Sequence, residues 1–545
     1  MSDKPGEREA PVCAAAAAAP TPTASSYDEF PYESYAFAQT HPDRLAVVAT
    51  LFGMRPAALE RGRVLELGCA SGGNLIPMAL TEPAGTFVGL DLSARQIADG
   101  QKRVAALGLE NISLRHLSIL DVSEAFGLFD YIICHGVYSW VPNAVQDKIL
   151  EICARNLAPQ GVAFVSYNTY PGWHMSGMVR DMLRYHARRF GQAHERVTQA
   201  RALLNFLAET TAHQQNAYSS LLNEALDVFR KVNNSYLLHE YLEEVNEPVY
   251  FHEFVERARR HGLQYLAEAE VHAMLPARFG SAVAGMLEKL SSDFIELEQF
   301  LDFVRNRKFR QTLLCHAGIK LQRKVGPEVV ADLFVASSLK PVQADLDLRS
   351  TAAAPFSSPR GLTPSTSDPL LKSALVHLAE HWPQAVSFAA LLDAARAQAR
   401  PSRPQDQSEW ASDSQILGKS LLQLYSANLL ELHMGKFPFV RTIAEKPQAS
   451  PLARLQAVTA HKVTNLRHES VTLGNLEREV LRHLDGSRTL AALVDHLMHL
   501  QARGALTFQQ EGEVDRSPES IRKMLSATLE RCLAGLAESA LLTAG

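Results

Sequence analysis

The chain has 545 residues, of which 46% are hydrophobic and 21% are charged, and its formal net charge is −5. This length predicts roughly two to four domains, and the balanced charge argues against a nucleic acid or an anionic membrane as the partner. The six cysteines are scattered without a CxxC pair. Disulfides and a metal site are therefore disfavoured, and a reducing, cytoplasmic compartment is expected.

The N-terminal residues 1–25 contain an alanine run bounded by acidic residues and prolines. Alanine is too weakly apolar for a signal peptide, so the composition predicts a disordered tail. No stretch of the sequence is apolar for long enough to span a bilayer, and membrane insertion is not expected.

Residues 26–175 alternate short β-rich runs with helical patterns, which predicts a Rossmann-like α/β domain with a parallel sheet. A helix begins at 73, and further helices cover 93–108 and 141–157; Ser93 and Gln96 give the second of these a capping-box start. The five predicted strands are RVLELG (63–68), TFVGLDL (86–92), ISLRHLSI (112–119), FDYIICHG (129–136) and GVAFVSYN (161–168).

Beyond residue 175 the β pattern is lost, and a mostly helical middle domain is predicted over 176–340. The segment 341–369 is rich in Ser, Thr and Pro and is predicted to be a linker. Residues 370–545 are predicted to form a helical, winged-helix-like region. LQLYSANLLEL (422–432) resembles LAGLAESALLT (533–543), which indicates a duplicated unit or a chance likeness between leucine-rich helices.

A glycine-rich turn follows the first predicted strand in VLELGCASGGN (64–74). A phosphate-binding P-loop would need a Lys-Ser/Thr pair after the glycines, and none is present. A dinucleotide fold would need GxGxxG, whose second glycine lets the backbone approach a pyrophosphate, but Ala70 stands there. The turn therefore favours a third class of cofactor.

Glu66 indicates which cofactor that is, because a carboxylate beside the turn would repel a pyrophosphate. It suits S-adenosylmethionine, which carries an ammonium and a sulfonium group, and residues 66–72 follow the methyltransferase pattern acid-x-Gly-x-Gly-x-Gly with alanine at the middle glycine. Asp91 ends the second strand, where its carboxylate can accept hydrogen bonds from both ribose hydroxyls. At the end of the third strand, Ser118 and Asp121 are alternative partners for the adenine.

Four stretches of the chain carry a more specific resemblance. The sequence resembles class I S-adenosylmethionine-dependent methyltransferases, and more closely the bacterial group with a methyltransferase regulatory domain. That group includes rickettsial protein-lysine methyltransferases, so the resemblance implies lysine as the acceptor and a winged-helix C-terminal region. The matching stretches are YDEFPYESYAFAQTHPDRLA (27–46), VLELGCASGGNLIPMA (64–79), FDYIICHGVYSWVP (129–142) and SYNTYPGW (166–173).

Two sets of site residues are predicted, one for the cofactor and one for the acceptor. The acceptor slot is expected after strands 4 and 5, at the carboxyl edge of the sheet, and contains Tyr138, Asn168 and Tyr170. The alternative is that the two tyrosines only pack and that Asn168 only holds the turn before Pro171. The cofactor set is Tyr27, Glu66, Gly68, Cys69, Ala70, Gly72, Asn74, Asp91, Leu92, Gln96, Ser118, Ile119 and His135.

Several of these residues have a second interpretation. His135 is expected to line the site rather than act as a general base, and no catalytic base is assigned, because alignment and burial suffice for methyl transfer. Trp140 and Trp173 are expected to be walls of the slot or core. Tyr27 and Tyr32 precede the fold and either close over the cofactor as a lid or anchor the tail.

Three functions remain in competition at this point. A protein-lysine methyltransferase accounts best for the long extension beyond a minimal catalytic domain. A small-molecule N- or O-methyltransferase is the alternative, and a non-catalytic adaptor is disfavoured by the polar residues of the cofactor turn. Nucleic-acid methylation is disfavoured because strand 4 ends in HGVY and lacks the [DN]PP[YF] sequence that flanks a flipped base.

Overall fold

The computed structural model describes residues 33–399, 407–504 and 517–544. The predicted N-terminal tail, Tyr27 and Tyr32 lie outside this range. The strands are β1 Arg63–Leu67, β2 Thr86–Asp91, β3 Ile112–His116, β4 Phe129–Cys134, β5 Leu157–Asn168, β6 Leu263–Glu268, β7 Phe309–His316, β8 Phe334–Ala336, β9 Lys340–Pro341, β10 Ala354–Ser357, β11 Ser365–Thr366, β12 Val386–Ser387, β13 Glu431–His433, β14 Gln448–Ala449, β15 Lys462–Thr464, β16 Ser470–Thr472 and β17 Leu542–Thr543.

Helices connect and cover these strands. The α-helices are α1 Pro42–Leu51, α2 Leu75–Thr81, α3 Ala94–Leu107, α4 Asn143–Arg155, α5 Gly172–Ala187, α6 Ala193–Thr211, α7 Ala217–Lys231, α8 Asn234–Leu237, α9 Phe251–Arg260, α10 Ser281–Leu290, α11 Phe294–Arg305, α12 Pro369–His381, α13 Phe388–Ala399, α14 Gln407–Ser426, α15 Pro451–Ala457, α16 Asn475–Arg482, α17 Leu490–Ala502 and α18 Pro518–Glu538.

A seven-stranded sheet in the order β3-β2-β1-β4-β5-β7-β6 forms the centre of the first part of the chain. Strands β1 to β5 pair in parallel, which confirms the predicted Rossmann-like sheet and its five strands. From β1 the strand order runs one way through β2 to β3 and the other way through β4 to β5, so the carboxyl end of β1 lies at a crevice of the kind in which α/β proteins bind ligands.

The two remaining strands of this sheet lie in the mostly helical middle segment, where the sequence showed no β pattern. Strand β7 pairs antiparallel with β5, and β6 pairs antiparallel with β7. Both strands are buried along most of their length. Their sequences, LQYLAE and FRQTLLCH, therefore lack the regular alternation of polar and apolar residues that marks a half-buried strand.

The sheet has a separate hydrophobic core on each face. Along β1, Val64 belongs to the core that extends toward α1, and Leu65 belongs to the core that contains Ile149 of α4. This alternation follows from the two-residue period of a strand. Each fully buried Val, Leu or Ile contributes about 1.5–3 kcal/mol, so both faces hold the carboxyl end of β1 in place.

Helices α5 to α8 pack together in a third core, which contains Leu183, Leu204 and Phe229. The chain then returns to the sheet through α9, whose buried Phe254 and Val255 lie on its inner face. The helical character predicted for the middle of the chain holds for this layer, which is inserted between β5 and β6.

The segment 341–369, predicted as a linker, contains strands instead. Strands β9, β10 and β11 form a small antiparallel sheet, and Phe356 of β10 is completely buried in the core shared with α12. The segment is rich in Ser and Pro, but burial of the one large side chain of Phe356 is enough to hold it against the fold.

Two successive units in the C-terminal region have the same order of elements. The first contains α12, β12, α13, α14 and β13, and strands β12 and β13 both pair with β8. The second contains α16, α17, α18 and β17; β17 pairs with β14, which also forms a bridge to Asp485. The stretches 422–432 and 533–543 both run from the end of a long helix into a short strand.

Among the described residues, no helix combines the length and the apolarity needed to cross a bilayer.

Candidate active site

The glycine turn after β1 is held against the end of β2. The backbone N–H groups of Gly68 and Cys69 both donate to the carbonyl oxygen of Leu90, at 2.8 and 2.9 Å. Gly68 has φ +76°, and a Cβ there would overlap the side chain of Val137. The turn therefore requires glycine at this position, both for its backbone conformation and for close packing.

Asp91 ties the same turn to the start of α3. Its Oδ2 accepts a hydrogen bond from the N–H of Ala70 at 2.8 Å, and its Oδ1 accepts one from the N–H of Ser93 at 2.8 Å. Ser93 in turn caps α3 by accepting from the N–H of Gln96. A carboxylate can accept about four hydrogen bonds, so the half-exposed Asp91 can fix the turn and also bind ribose hydroxyls.

Glu66 is the buried acid of the site. It is 4% exposed, and its Oε1 accepts a hydrogen bond from Asn74 Nδ2 at 2.7 Å. Its Oε2 has no hydrogen-bond partner among the described residues. Burial, despite the bond from Asn74, raises the pKa of Glu66 to about 7. An unpartnered buried carboxylate oxygen fits a cofactor that brings an ammonium group.

A segment that precedes the fold lies over this turn. The N–H of Gly73 donates to Ser34 Oγ at 2.7 Å, and the N–H of Phe37 donates to Asn74 Oδ1 at 3.0 Å. The hydroxyl oxygen of Thr40 lies 3.0 Å from Asn74 Nδ2 and 3.1 Å from Asn74 Oδ1. The structure thus brings residues 34–40 to the cofactor turn. Tyr27 and Tyr32, for which a lid or an anchor was expected, lie outside the described residues.

His135 lies at the carboxyl end of β4. Its Nδ1 is 2.9 Å from Ser166 Oγ, which also accepts a hydrogen bond from the N–H of Gly136. Its ring lies edge-on to Phe37 and Phe164. Desolvation by these neighbours lowers the pKa of His135 to about 4, so the imidazole is neutral at physiological pH.

The predicted adenine side lies at the ends of β2 and β3. The N–H of Leu117 donates to the carbonyl oxygen of Asp91, which brings Ser118 and Ile119 close to the end of β2. Ser118 also accepts from the N–H of Leu120 and so caps a short 3-10 turn that includes Asp121. Leu92 is 55% exposed.

The remaining members of the predicted cofactor set are inside the turn or beneath it. Cys69, Gly72, Asn74 and Gln96 are buried, and Ala70 adopts φ +48°. Gly72 also has a positive φ, +74°. These residues shape the backbone of the turn.

The acceptor-side residues are separated by the structure. Tyr138 is fully buried and packs against Tyr167 and Phe254, so it belongs to the core and does not line an open slot. The reason is that the chain turns inward after β4, in a 3-10 turn at Tyr138–Trp140.

Asn168 and Tyr170 remain at the carboxyl end of β5. The N–H of Asn168 donates to Ser139 Oγ at 2.9 Å, while its buried Nδ2 has no partner among the described residues. Tyr170 is half-buried; its ring stacks on His174 at 4.0 Å and lies 5.2 Å from that of Tyr250. These side chains provide an amide donor and an aromatic wall beside the carboxyl end of β5.

The two tryptophans form a wall behind this region. Trp140 and Trp173 pack edge to face at 6.2 Å, and Trp173 is 8% exposed. Their position agrees with a role as core or wall residues.

Sequence reasoning missed several residues of the site. Ser34, Phe37, Thr40 and Ser166 contact the cofactor turn or His135 through the bonds described above, and His468 of the C-terminal region reaches Asn74. Residues 34–40 lie within the matching stretch 27–46, which was the available signal. His468 lies in no such stretch, and nothing in the sequence links it to the turn.

Comparison with known proteins agrees with this geometry. Three family models match: "Methyltransferase domain" at residues 65–163, "Predicted methyltransferase regulatory domain" at residues 233–316 and "PKMT, C-terminal winged helix domain" at residues 445–541. The chain is 36% identical to Uncharacterized protein RP789 of Rickettsia prowazekii, over 95% of this chain and 93% of that protein.

The solved structures extend the comparison to the cofactor. PKMT2 from Rickettsia typhi in complex with AdoHcy (S-adenosylhomocysteine) is 32% identical and superimposes with a TM-score of 0.84, over 94% of this chain and 100% of that chain. A second structure of PKMT2 from Rickettsia typhi superimposes with a TM-score of 0.85 at 31% identity. The chain therefore belongs to the family of class I S-adenosylmethionine-dependent methyltransferases that carry a regulatory domain and a PKMT winged-helix domain, and it is an enzyme that uses S-adenosylmethionine.

Proposed function

We propose that the enzyme transfers methyl groups to lysine side chains of a protein. The observation that carries this proposal is the likeness to PKMT2 along the whole length of that chain, including the C-terminal winged-helix domain. A small-molecule methyltransferase would need only the catalytic sheet. The additional helical layer and the two C-terminal units supply the surface that a protein substrate requires.

We propose that Glu66, Gly68, Asn74, Asp91 and His135 form the inner part of the cofactor site. Glu66 Oε2 would accept from the cofactor's ammonium group, and Asp91 would accept from the ribose hydroxyls. Bound S-adenosylmethionine supplies an electrophilic methyl group on a sulfonium. The protein's own contribution is to align the acceptor with that methyl group and to exclude water.

The charges around Tyr170 support a cationic acceptor. Burial raises the pKa of Tyr170, and nearby carboxylates raise it further. Glu247 has the largest effect among these carboxylates, and Glu253 and Asp181 contribute less. The same negative potential attracts a lysine ammonium to this edge of the sheet. The amine must lose its proton before transfer, because an ammonium has no lone pair, and desolvation in the cleft lowers its pKa. The hydroxyl of Tyr170 would then orient the neutral amine.

The experiment uses S-adenosylmethionine labelled with tritium in the methyl group, the full-length enzyme and an extract of the source organism. Label that remains in protein and appears as methyl-lysine after hydrolysis is the expected result. Label confined to small metabolites would contradict the proposal and identify a small-molecule enzyme.

Two matched tyrosine variants test the acceptor side. Tyr170→Phe is expected to raise KM for the labelled protein several-fold with little change in the Kd for S-adenosylhomocysteine. Tyr185→Phe is the control, because Tyr185 lies further along the chain, on α5, is 59% exposed and has its ring under Arg188. Equal effects of the two variants would remove Tyr170 from the proposal.

A further inference from the structure

We propose that His468, in the C-terminal region, is a positioning residue for the cofactor site. Its Nε2 lies 2.7 Å from Asn74 Oδ1, and Asn74 Nδ2 donates to Glu66 Oε1 at 2.7 Å. A hydrogen-bonded chain therefore runs from the winged-helix domain to the buried acid of the cofactor turn, across 394 positions of sequence. The inference rests on the role proposed above for Glu66.

The direction of each bond follows from the chemistry of the groups. An amide oxygen can only accept, so His468 donates its Nε2–H. Both hydrogens of Asn74 Nδ2 are used, one by Glu66 Oε1 and one by Thr40 Oγ1, at 2.7 and 3.0 Å. The amide oxygen accepts from His468 and also from the N–H of Phe37 at 3.0 Å, and together these donors fix the amide in the orientation that presents Nδ2 to Glu66. A flipped amide would leave Glu66 without a donor and would bring the NH₂ group against His468.

All three side chains are removed from water. His468 and Asn74 are each 3% exposed, and Glu66 is 4% exposed. Water cannot replace a lost donor in such a place, and a buried polar group without a partner costs more than an exposed one. The imidazole itself is neutral, because burial and the neighbouring His41 and Arg44 hold the pKa of His468 well below its usual range.

His468 occupies the tip of the hairpin formed by β15 and β16. Its φ is +60°, and its N–H donates to the carbonyl oxygen of Asn465 at 3.2 Å. Adjacent Arg467 bonds to Glu431 and to the carbonyl oxygen of Pro383, and its guanidinium lies over the ring of Trp382. The tip is therefore held by the first of the two C-terminal units as well as by its own, which gives His468 a fixed position.

The attachment of the C-terminal region does not depend on this bond. Asp43 of α1 accepts from His433 Nδ1 and from the N–H of Met434, both at 2.7 Å, and all of these contacts lie outside the cofactor turn. The bond from His468 to Asn74 is thus a separate contact, and it is made directly to a residue of the cofactor turn. It couples docking of the hairpin to the geometry of Glu66, and such a coupling acts in both directions.

The first test compares His468→Phe with His468→Gln in the full-length enzyme. Phenylalanine keeps a ring but has no donor, whereas the glutamine Nε2 can replace the lost donor. We expect the Kd for S-adenosylhomocysteine, measured by calorimetry, to rise about tenfold in H468F, which corresponds to about 1.4 kcal/mol, and to stay within about threefold in H468Q. The kcat at saturating S-adenosylmethionine should change little in either variant.

The control is Glu469→Gln, which weakens the hairpin's ion pairs with Arg44 and Arg467 but leaves Asn74 untouched. If E469Q raises the Kd as much as H468F does, the effect is one of docking and the positioning role is wrong. If Glu66→Gln weakens binding and H468F does not, the inference fails while the proposed cofactor site stands. If E66Q itself has no effect, the proposed cofactor site fails and the inference fails with it.

A second measurement needs no variant. Hydrogen exchange of residues 462–472 is recorded in the wild-type enzyme with and without S-adenosylhomocysteine. Slower exchange of this hairpin on binding is expected, because the ligand stabilises the arrangement that the hairpin helps to hold. Unchanged exchange there, with protection at residues 66–74, would overturn the inference.

Discussion

Glu66→Gln replaces a buried carboxylate by an amide of almost the same size. The glutamine oxygen can still accept from Asn74 Nδ2, so the bond at 2.7 Å is retained. What is lost is the negative charge, and with it the acceptor Oε2 that has no partner in the described part of the chain. The substitution therefore separates the electrostatic role of Glu66 from its packing.

The expected effect on stability follows from the raised pKa. The carboxyl of Glu66 ionises near pH 4.5 in the unfolded chain and near pH 7 in the fold, because burial disfavours the charge. Stability from this group is complete below pH 4.5 and is lost as the pH rises through 7. The difference corresponds to about 3 kcal/mol, so at pH 8 the variant is expected to be more stable than the wild type by up to about that amount.

The expected effect on binding has the opposite sign. A hydrogen bond from the cofactor's ammonium group to the ionised Oε2 contributes about 1.5–3 kcal/mol, so the Kd for S-adenosylhomocysteine should rise roughly ten- to a hundredfold in the variant. In the wild type, affinity relative to the variant should weaken below pH 7, where the carboxyl takes up its proton.

Chemical denaturation between pH 5 and 8 and calorimetric titration of the ligand over the same range measure both effects. The variant is expected to gain stability from loss of the buried charge and to lose affinity for the ligand. The glutamine NH₂ has no partner among the described residues at the place of Oε2 and costs about 1–3 kcal/mol at every pH, so the pH dependence is the decisive observation. A difference in stability between variant and wild type that does not change from pH 5 to 8 would show that the carboxylate is not desolvated as the structure indicates. An unchanged Kd at pH 8 would remove the ammonium contact.

Three further outcomes are expected. Gly68→Ala should lower Tm and raise the Kd for S-adenosylhomocysteine at least tenfold, because its φ of +76° is strained for alanine and the new Cβ overlaps Val137; calorimetry of binding measures this. The profile of kcat against pH should show no inflection from His135 between pH 6 and 9, because its pKa is lowered to about 4 and the ring is already neutral; an inflection in this range that disappears in His135→Asn would contradict this. Asp43→Asn should reduce the free energy of unfolding by about 3 kcal/mol at pH 6 and by less at pH 9, because the partner His433 has a raised pKa and the stability of the buried pair is lost as the pH rises through it; denaturation at the two pH values checks the sign.

The catalytic sheet could be predicted because its information is local. Each of β1 to β5 is a short apolar run that ends at a turn, and the helices between the first strands begin at recognisable caps such as Ser93. The turn at 64–74 could be predicted in the same way, since the glycines, Glu66 and Asp91 all lie within one strand–turn–helix–strand unit. Local order and local chemistry agree in this part of the chain.

Strands β6 and β7 could not be predicted in this way. They join the sheet at its far edge only after the insertion of α5 to α8, so their partners are long-range. Arg310, inside β7, reads as a solvent-exposed residue in the sequence but is completely buried, where it pairs with Glu268 and Asp302 at 2.8 and 2.7 Å. A charged residue at such a position makes the segment look like a surface helix or loop.

The acceptor side shows a different limit. Tyr138 and Tyr170 have the same side chain and both follow a strand of the sheet, yet one is in the core and the other is half-buried at the edge. The difference depends on Phe254 of α9, which covers Tyr138, and on the backbone of Val249, which accepts from the N–H of Tyr170. Phe254 lies 116 residues after Tyr138, and Val249 lies 79 residues after Tyr170, so no local pattern distinguishes the two tyrosines.

The cofactor site combines three distant parts of the chain for a physical reason. Ionised Glu66 costs the fold about 3 kcal/mol at neutral pH, and the cost arises because residues 34–40 and the hairpin at 465–469 cover the turn and exclude water. The same covering elements supply the groups, Thr40 and His468, that orient Asn74 toward that acid. Removing these covering elements would lower the desolvation cost of Glu66, but Asn74 would no longer be oriented toward that acid. A catalytic sheet alone would leave this acid exposed and would not bear its desolvation cost. It would, however, bind the ammonium group in competition with water, and the added strength of a charged hydrogen bond in a dry site would be lost. The C-terminal region of this chain therefore contacts the cofactor turn, through His468 and Asn74, in addition to any surface that it offers to a protein substrate.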